Sequence, residues 1–302
     1  MLPGAIVLGI GLYLAYHFTP ALHPMGHWLG LAASEGQRLV IAVLLFFQFV
    51  KISPHDLKLC RWHLGALLLQ VLSFLALAGV VALTPAGDAR MLLECAMLCL
   101  ICPTASAAGV ITDRLGGDLA ATVTYLVLIN VAATFLIPLV IPLVNPSAAM
   151  GFWAHVGHIA LKVFPVLILP GLLAWLIRYT THRLQRQLMR WSSNSFYVWG
   201  VGLTLAMVLA TRALMRSHLG AAAVGGIVLV SLACCFAQFF AGRRDSLTAG
   251  QALGQKNTGF LIWLGYNYMT PVTSVAGGLY AIWQNLFNSW ELYRKEHRGA
   301  QR

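Results

Sequence analysis

Two short clusters of small and polar residues interrupt hydrophobic segments of the chain. The first is Cys102-Pro103-Thr104-Ala105-Ser106, and the second runs from Gly250 to Gly259 with Lys256 inside it. Such a break leaves backbone N–H and C=O groups unpaired, which hydrocarbon tolerates only where the break lines a polar cavity. The two clusters therefore predict a binding site for a polar solute, as at the broken helices of many transporters.

The residues of these breaks can bind a substrate through hydroxyl, amide and backbone groups. The predicted substrate-binding residues are Pro103, Thr104, Ala105, Ser106, Asn257 and Thr258. The same residue types also suit close packing of membrane helices. Their occurrence at corresponding positions in the two halves of the chain favours the binding site.

Lys256 is chemically the most unusual residue of the second break. A helix that begins near Ser246 carries it about 15 Å into a hydrocarbon core about 30 Å thick, beyond the reach of a snorkelling side chain. Because intramembrane charges are costly, a lysine at that depth indicates a functional or site-forming role.

Three thiols share one helix face, since Cys95, Cys99 and Cys102 recur at i, i+4 and i+7. This pattern suits either a soft metal or arsenite, or the packing of small residues. We predict no metal site. The chain has no HExxH or GxxxxGK motif, and we do not expect an enzyme.

Composition predicts the elements that position these residues. Of the 302 residues, 59% are hydrophobic and 10% are charged, against about 25% charged in soluble domains. This composition predicts an all-α polytopic membrane protein. The net charge of +11 does not indicate nucleic-acid binding, because basic residues of membrane proteins collect in cytoplasmic loops.

Ten apolar segments are long enough to span a bilayer. Their predicted bounds are 3–19, 36–52, 62–84, 89–112, 118–143, 153–177, 192–213, 219–241, 246–267 and 270–290. With both termini on one side, 14 of the 20 Lys and Arg residues fall on that side and 4 on the other. The positive-inside rule then predicts cytoplasmic termini, and we expect the protein in the cell (inner) membrane.

The ten segments divide into two sets of five, and each set has its break in its fourth segment. Because each set has an odd number of spans, the two sets must lie in the membrane with opposite orientations. We therefore predict two inverted five-helix repeats, residues 1–150 and 151–290, with discontinuous helices 4 and 9 and a cytoplasmic tail at 291–302.

The chain resembles the bile acid:sodium symporter family over nearly its whole length. The resemblance rests on the first break, on the stretch from Leu115 to Thr122, on Ile137 to Pro142, and on Gly254 to Gly259. It implies a core domain, in which helices 4 and 9 unwind and cross, and a panel domain that moves against it. Family members typically carry organic anions inward together with sodium.

The resemblance also implies an ion site near the crossing. Its predicted residues, as sodium ligands or as the surroundings of a built-in cation, are Gln70, Ser106, Thr122, Gln251, Gln255 and Lys256. In the second break, Ala252 replaces the family's glutamate and Lys256 replaces its glutamine. These replacements put sodium coupling in question, so the coupling ion is expected to be sodium, a proton or none.

Our hypothesis is that the Lys256 ammonium takes the place of the second sodium ion. Gln70, Gln255 and nearby carbonyls would accept its three hydrogen bonds. A buried lysine can also titrate near neutral pH, which would suit proton coupling.

We therefore predict a secondary active transporter of a small organic anion that works by alternating access in the lipid bilayer. It is expected to be a monomer or a homodimer and to need no cofactor. Two alternatives stay open. One is an efflux transporter for an arsenite-like metalloid, which would use the cysteine face, and the other is a membrane sensor or enzyme without net solute flux.

Overall fold

Long apolar helices dominate the architecture. The computed structural model describes residues 2–299, and within them the fold is all-helical, with 14 α-helices joined by short 3₁₀ turns and loops. The helices are α1 (Leu2–Phe18), α2 (Gly26–Lys51), α3 (Arg61–Leu83), α4 (Asp88–Ile101), α5 (Ala108–Arg114), α6 (Leu119–Val144), α7 (Phe152–Leu167), α8 (Leu169–Thr180), α9 (His182–Trp191), α10 (Ser195–Ser217), α11 (Ala221–Arg243), α12 (Leu247–Gly254), α13 (Thr258–Tyr268) and α14 (Ser274–Gly299).

Several of these helices suit insertion into a membrane. Among the described residues, α2, α3, α6, α10 and α11 are long and apolar enough to cross one, and α7 with α8, bent by 41°, would make a sixth span. The outward face of α3 carries Leu64, Leu68 and Leu72, with 64%, 48% and 59% of their surface exposed. A leucine-covered outer surface of this kind is expected against lipid rather than water.

Each of the ten predicted segments corresponds to one helix or to a pair of helices. The fourth segment is divided into α4 and α5, and the ninth into α12 and α13. The stretch between the sixth and seventh segments, predicted as a connection, contains the amphipathic helix α9. The predicted tail at 291–302 continues α14 as far as Gly299 and begins with a buried residue, Glu291. Residues 300–302 of that prediction lie outside the described residues.

Local sequence explains where the broken helices begin and end. The residue before a proline avoids helical geometry, and α4 ends at Ile101, one residue before the extended Cys102-Pro103. The side chain of Ser246 caps α12 by accepting the Ala249 N–H. That of Asn257 caps α13 by accepting the Phe260 N–H at 3.2 Å.

The helices pack as two groups. In the first, which we call the α2 group, α2 packs on α8 and α10, and α10 packs on α1. In the second, the α11 group, α3, α4, α11, α12, α13 and α14 pack together, and α6 packs on α3 and α12. Helix α7 connects the groups, because it packs on α6 and on α2 and α8.

Candidate functional site

The two breaks meet and bond to each other through their backbones. Thr104 and Lys256 form an isolated antiparallel β-bridge. On either side of it, the Ala105 N–H donates to the Gln255 oxygen at 3.0 Å, and the Asn257 N–H donates to the Pro103 oxygen at 2.8 Å. We call residues 103–105 and 255–257 the crossing. Each break supplies partners for backbone groups that the other leaves free, which a low-dielectric interior requires.

Buried side chains hold the crossing to α14 and α12. Gln284 accepts the Lys256 N–H at 2.8 Å and donates to the Lys256 oxygen at 3.2 Å. Tyr280 donates its hydroxyl proton to the Gly254 oxygen at 2.8 Å. Thr104 donates through Oγ1 to the Ala252 oxygen at 2.7 Å. Gln284 and Tyr280 were not among the predicted site residues. Only the presence of a polar group inside the tenth apolar segment could have indicated them.

A cavity of about 120 Å³ lies beside the crossing, between the two helix groups. Four of the predicted substrate residues line it, namely Ala105, Ser106, Asn257 and Thr258. Pro103 and Thr104 do not line it; both are buried, and Thr104 is used within the crossing. We call this space the central cavity.

The central cavity has polar residues on its walls that the sequence analysis missed. They are Gln37 on α2 and Gln284, Asn285 and Asn288 on α14. Each lies in an apolar segment without a break. Its carboxamide, among apolar neighbours, was therefore the only sign in the sequence that it could line a binding site.

A second cavity of about 380 Å³ continues from the central cavity along α2 and α5. The two cavities share six lining residues: Leu44, Ser106, Ala107, Ile111, Trp199 and Asn285. The walls of the second cavity include the cations Lys51 and Arg114 and no acidic residue. We call this space the vestibule.

The Lys256 side chain extends into the interior of the α11 group. It is fully buried, and its Nζ has no hydrogen-bond partner within residues 2–299. The side chains close enough to interact electrostatically with the ammonium are the thiols of Cys99, Cys102, Cys234 and Cys235.

The expected partners of Lys256 bond to other groups. Gln70 donates to the Cys102 oxygen at 3.0 Å and accepts the Tyr125 hydroxyl at 2.8 Å. Gln255 donates to the Gln251 side chain. The expectation that Gln70 and Gln255 accept hydrogen bonds from Lys256 is therefore wrong for this structure, because the lysine points toward the thiols of α4 and α11.

The other predicted ion-site residues do not surround one point. Thr122 is fully buried and donates to the Asp118 oxygen of its own helix at 2.9 Å. Gln251 and Gln255 belong to a hydrogen-bonded chain that leads away from the crossing, in which Gln251 donates to Glu291 and Glu291 pairs with Arg243. Ser106 lines the central cavity, as do Gln255 and Lys256.

Asp118 begins α6 at the same end of the protein as Lys58. Its carboxylate accepts the Ala121 N–H at 3.0 Å and lies 3.5 Å from the Lys58 ammonium. The Ala121 hydrogen bond, and secondarily the Lys58 charge, hold the pKa of Asp118 below its usual value.

The cysteines do not form a metal centre. Cys95, Cys99 and Cys102 are buried, and within the described part of the chain no group of three histidine, cysteine or acidic side chains is arranged to hold a metal ion. The thiols of Cys99 and Cys234 lie close to each other where α4 packs on α11.

No protein-family model and no curated protein matched this chain. Interpretation of the site therefore rests on its geometry. A central cavity beside two paired helix breaks, continued by a vestibule with two cations, can bind a small polar solute and attract an anionic one.

Proposed function

We propose that this protein is a secondary transporter of a small organic anion, similar in fold and mechanism to bile acid:sodium symporters. One observation carries the proposal, namely the pairing of two helix breaks beside a cavity that separates two helix groups. Transporters bind their substrates at such crossings, and movement of one helix group against the other then gives alternating access.

The proposal includes ten spans in two inverted repeats, residues 1–150 and 151–290. Each broken pair, α4–α5 and α12–α13, counts as one span because neither partner is long enough alone. With α1, α14 and the six spans described above, the total is ten. The excess of Lys and Arg on the side of the termini supports a cytoplasmic location for both.

The charges along the access route support an anionic substrate. Lys51 and Arg114 face the vestibule without an opposing acid in its walls. A cleft lined by one sign of charge raises the local concentration of the opposite ion. On the proposed orientation this vestibule opens toward the cytoplasm, since Lys51 and Arg114 belong to the basic side.

We also propose that Lys256 acts as a built-in cation behind the crossing. The C-terminal ends of α4 and α12 meet there, and helix C-termini carry partial negative charge that favours a cation. A fixed ammonium in this position would make bound sodium unnecessary. The absence of the family's acid at Ala252 agrees with this role.

The test is uptake of a pool of labelled organic anions into proteoliposomes, with and without a sodium gradient. We expect uptake by the wild type that does not depend on sodium. Protein-free liposomes and Ser106→Leu, which fills the central cavity, serve as controls. Absence of uptake for every anion in the pool would contradict the transport function.

The role of Lys256 is tested separately with Lys256→Gln in the same assay. We expect slower uptake, or uptake that now responds to sodium, because the glutamine restores a neutral ligand. Clear sodium dependence of the wild type would rule out the built-in cation and leave the transport function intact.

A further inference from the structure

Two carboxamides that line the central cavity from different helices have acceptor oxygens without partners. Gln37 Oε1 on α2 and Asn288 Oδ1 on α14 are buried and accept no hydrogen bond within residues 2–299. The two residues are 1% and 6% exposed. Both line the central cavity. Gln37 belongs to the α2 group and Asn288 to the α11 group.

Neighbouring carboxamides of the same cavity are already bonded to the protein. Gln284 bonds both backbone groups of Lys256. Asn285 donates to the Ala281 oxygen at 2.7 Å, and Asn257 caps α13. Gln37 and Asn288 therefore differ from these three residues in having a buried acceptor oxygen left over for a ligand.

A buried acceptor without a donor costs about 1–3 kcal/mol, so a ligand that supplies the donor is favoured. A carboxylate has no proton to donate and cannot satisfy an amide oxygen. A hydroxyl group both donates and accepts, and it therefore matches a carboxamide, which presents an acceptor and a donor side by side. The two carboxamides therefore favour an anion that also carries hydrogen-bond donors, and hydroxyl groups are the donors that add no charge.

An anionic group has a separate place in the same cavity. The Gly259 N–H, in the first turn of the 11-residue helix α13, has no acceptor among the described residues, whereas the N–H groups of Thr258 and Phe260 are bonded. The Gln37 amide nitrogen lies 2.7 Å from the position that a Cβ on Gly259 would take. The positive end of α13 and the Gln37 carboxamide therefore meet at one point, where a carboxylate can bind.

The size of the central cavity limits the ligand. Its volume is about 120 Å³, somewhat less than the roughly 150 Å³ of a cavity that accepts benzene, so a ligand of roughly five or six non-hydrogen atoms fits, with further room where the cavity continues into the vestibule. Resting on the proposed function, we propose that the transported anion is a small hydroxy acid. Its carboxylate binds at the N-terminus of α13, and its hydroxyl groups donate to Gln37 Oε1 and Asn288 Oδ1.

The test compares three carboxylates that differ only in hydroxyl groups: glycerate, lactate and propionate. Their dissociation constants are measured by calorimetry on the purified full chain in detergent. We expect glycerate to bind more tightly than lactate, and lactate more tightly than propionate, by about tenfold for each hydroxyl. This series needs no variant, so it does not depend on the folding of a mutant.

Variants then assign the hydroxyl contacts. Gln37→Leu and Asn288→Leu replace a carboxamide by an apolar group of similar size, and each should reduce the preference for glycerate over propionate by about tenfold. Asn130→Leu is the matched control, because Asn130 is a buried carboxamide with two unpartnered atoms that does not line the cavity. It should keep the full preference.

The outcomes separate this inference from the proposed function. Equal binding of the three acids, or an unchanged preference in both cavity variants, overturns the hydroxy-acid assignment. Binding of none of them, together with proteoliposome uptake of another anion, also overturns it and leaves anion transport standing. Only the failure of every anion in the uptake pool overturns the transport function as well.

Discussion

Thr104 and Lys256, which come from opposite halves of the chain, are paired through their backbones in an antiparallel bridge. The pairing joins the end of α4 to the end of α12. It converts two helix breaks, each of which would be costly in hydrocarbon, into one bonded unit beside the central cavity.

The hydroxyl of Thr104 should contribute measurably to stability. Thr104→Val keeps the shape of the side chain but leaves the fully buried Ala252 oxygen without its 2.7 Å donor. We expect a loss of about 1–3 kcal/mol, because an orphaned buried acceptor is not compensated by water. Thermal unfolding in detergent measures it. Thr84→Val, which removes an exposed hydroxyl bond to the Val80 oxygen, should change the melting temperature little; equal effects would contradict the prediction.

Two glycines of α11 should respond to alanine with opposite signs. A Cβ on Gly242 would lie 2.4 Å from the Ala249 oxygen, so Gly242→Ala must push α12 away. We expect a destabilisation of about 1–3 kcal/mol, as for other overpacked sites. A Cβ on Gly225 would meet no atom within 4 Å, and Gly225→Ala should stabilise the helix by up to about 1 kcal/mol. Comparison of the two melting temperatures checks the close approach of α11 and α12.

Glu291 should act as a buried anchor rather than as part of a solvated tail. It is 7% exposed, pairs with Arg243 and accepts from Gln251. Glu291→Gln removes the charge and should lower the free energy of unfolding by about 2 kcal/mol, since charge-assisted hydrogen bonds are stronger than neutral ones. Glu296→Gln, at an exposed position of the same helix, is the control. A null result at both positions would show that the pair contributes nothing to stability.

Asp118 should give the protein a contribution to stability that depends on pH. Its folded-state pKa is lowered, first by the Ala121 N–H and then by Lys58. The contribution is therefore present above the unfolded pKa of about 3.9 and is lost as the pH falls through the folded value. Asp118→Ala should lower the melting temperature at about pH 7, with about 1 kcal/mol for the lost cap, and the difference from wild type should shrink toward about pH 3.

The matched control for Asp118 is Asp88→Ala, because Asp88 lies in the first turn of α4 but makes no capping bond. It should leave the pH profile unchanged. A gap between wild type and Asp118→Ala that stays constant with pH would contradict the role of the ionised carboxylate.

The vestibule cations should matter most at low ionic strength. The double substitution Lys51→Gln with Arg114→Gln should weaken binding of the proposed anionic substrate about 2–5-fold in low salt, because the attraction acts over roughly a Debye length. The difference should disappear in about 1 M salt. Lys162→Gln removes a cation paired with Glu35, outside the walls of the vestibule, and should have no such effect. A loss that is independent of salt would indicate disturbed folding instead of electrostatic attraction.

The sequence by itself determined the elements and the residues of the breaks. The low charge and the ten apolar runs predicted a helical membrane protein. This was possible because the length of an apolar segment can be read directly from consecutive residues. Pro103 and the small residues around Gly254 predicted where helices 4 and 9 break, because helix-breaking is also local. Counting residues along a helix predicts the membrane depth of Lys256, whereas its full burial within the protein was found only in the structure.

Only the tertiary structure decided how these residues are used. The sequence could not show that Lys256 points toward the thiols of α4 and α11, because side-chain direction depends on neighbours distant in sequence. The same holds for Glu291, a charged residue near a helix end that looks solvated until α11 packs against it. Gln37 and Asn288 became candidate ligands only when α2 and α14 were brought to the walls of one cavity. The sequence gives the type and position of each polar residue. Whether its hydrogen-bonding groups find partners depends on which helices pack together in the folded protein.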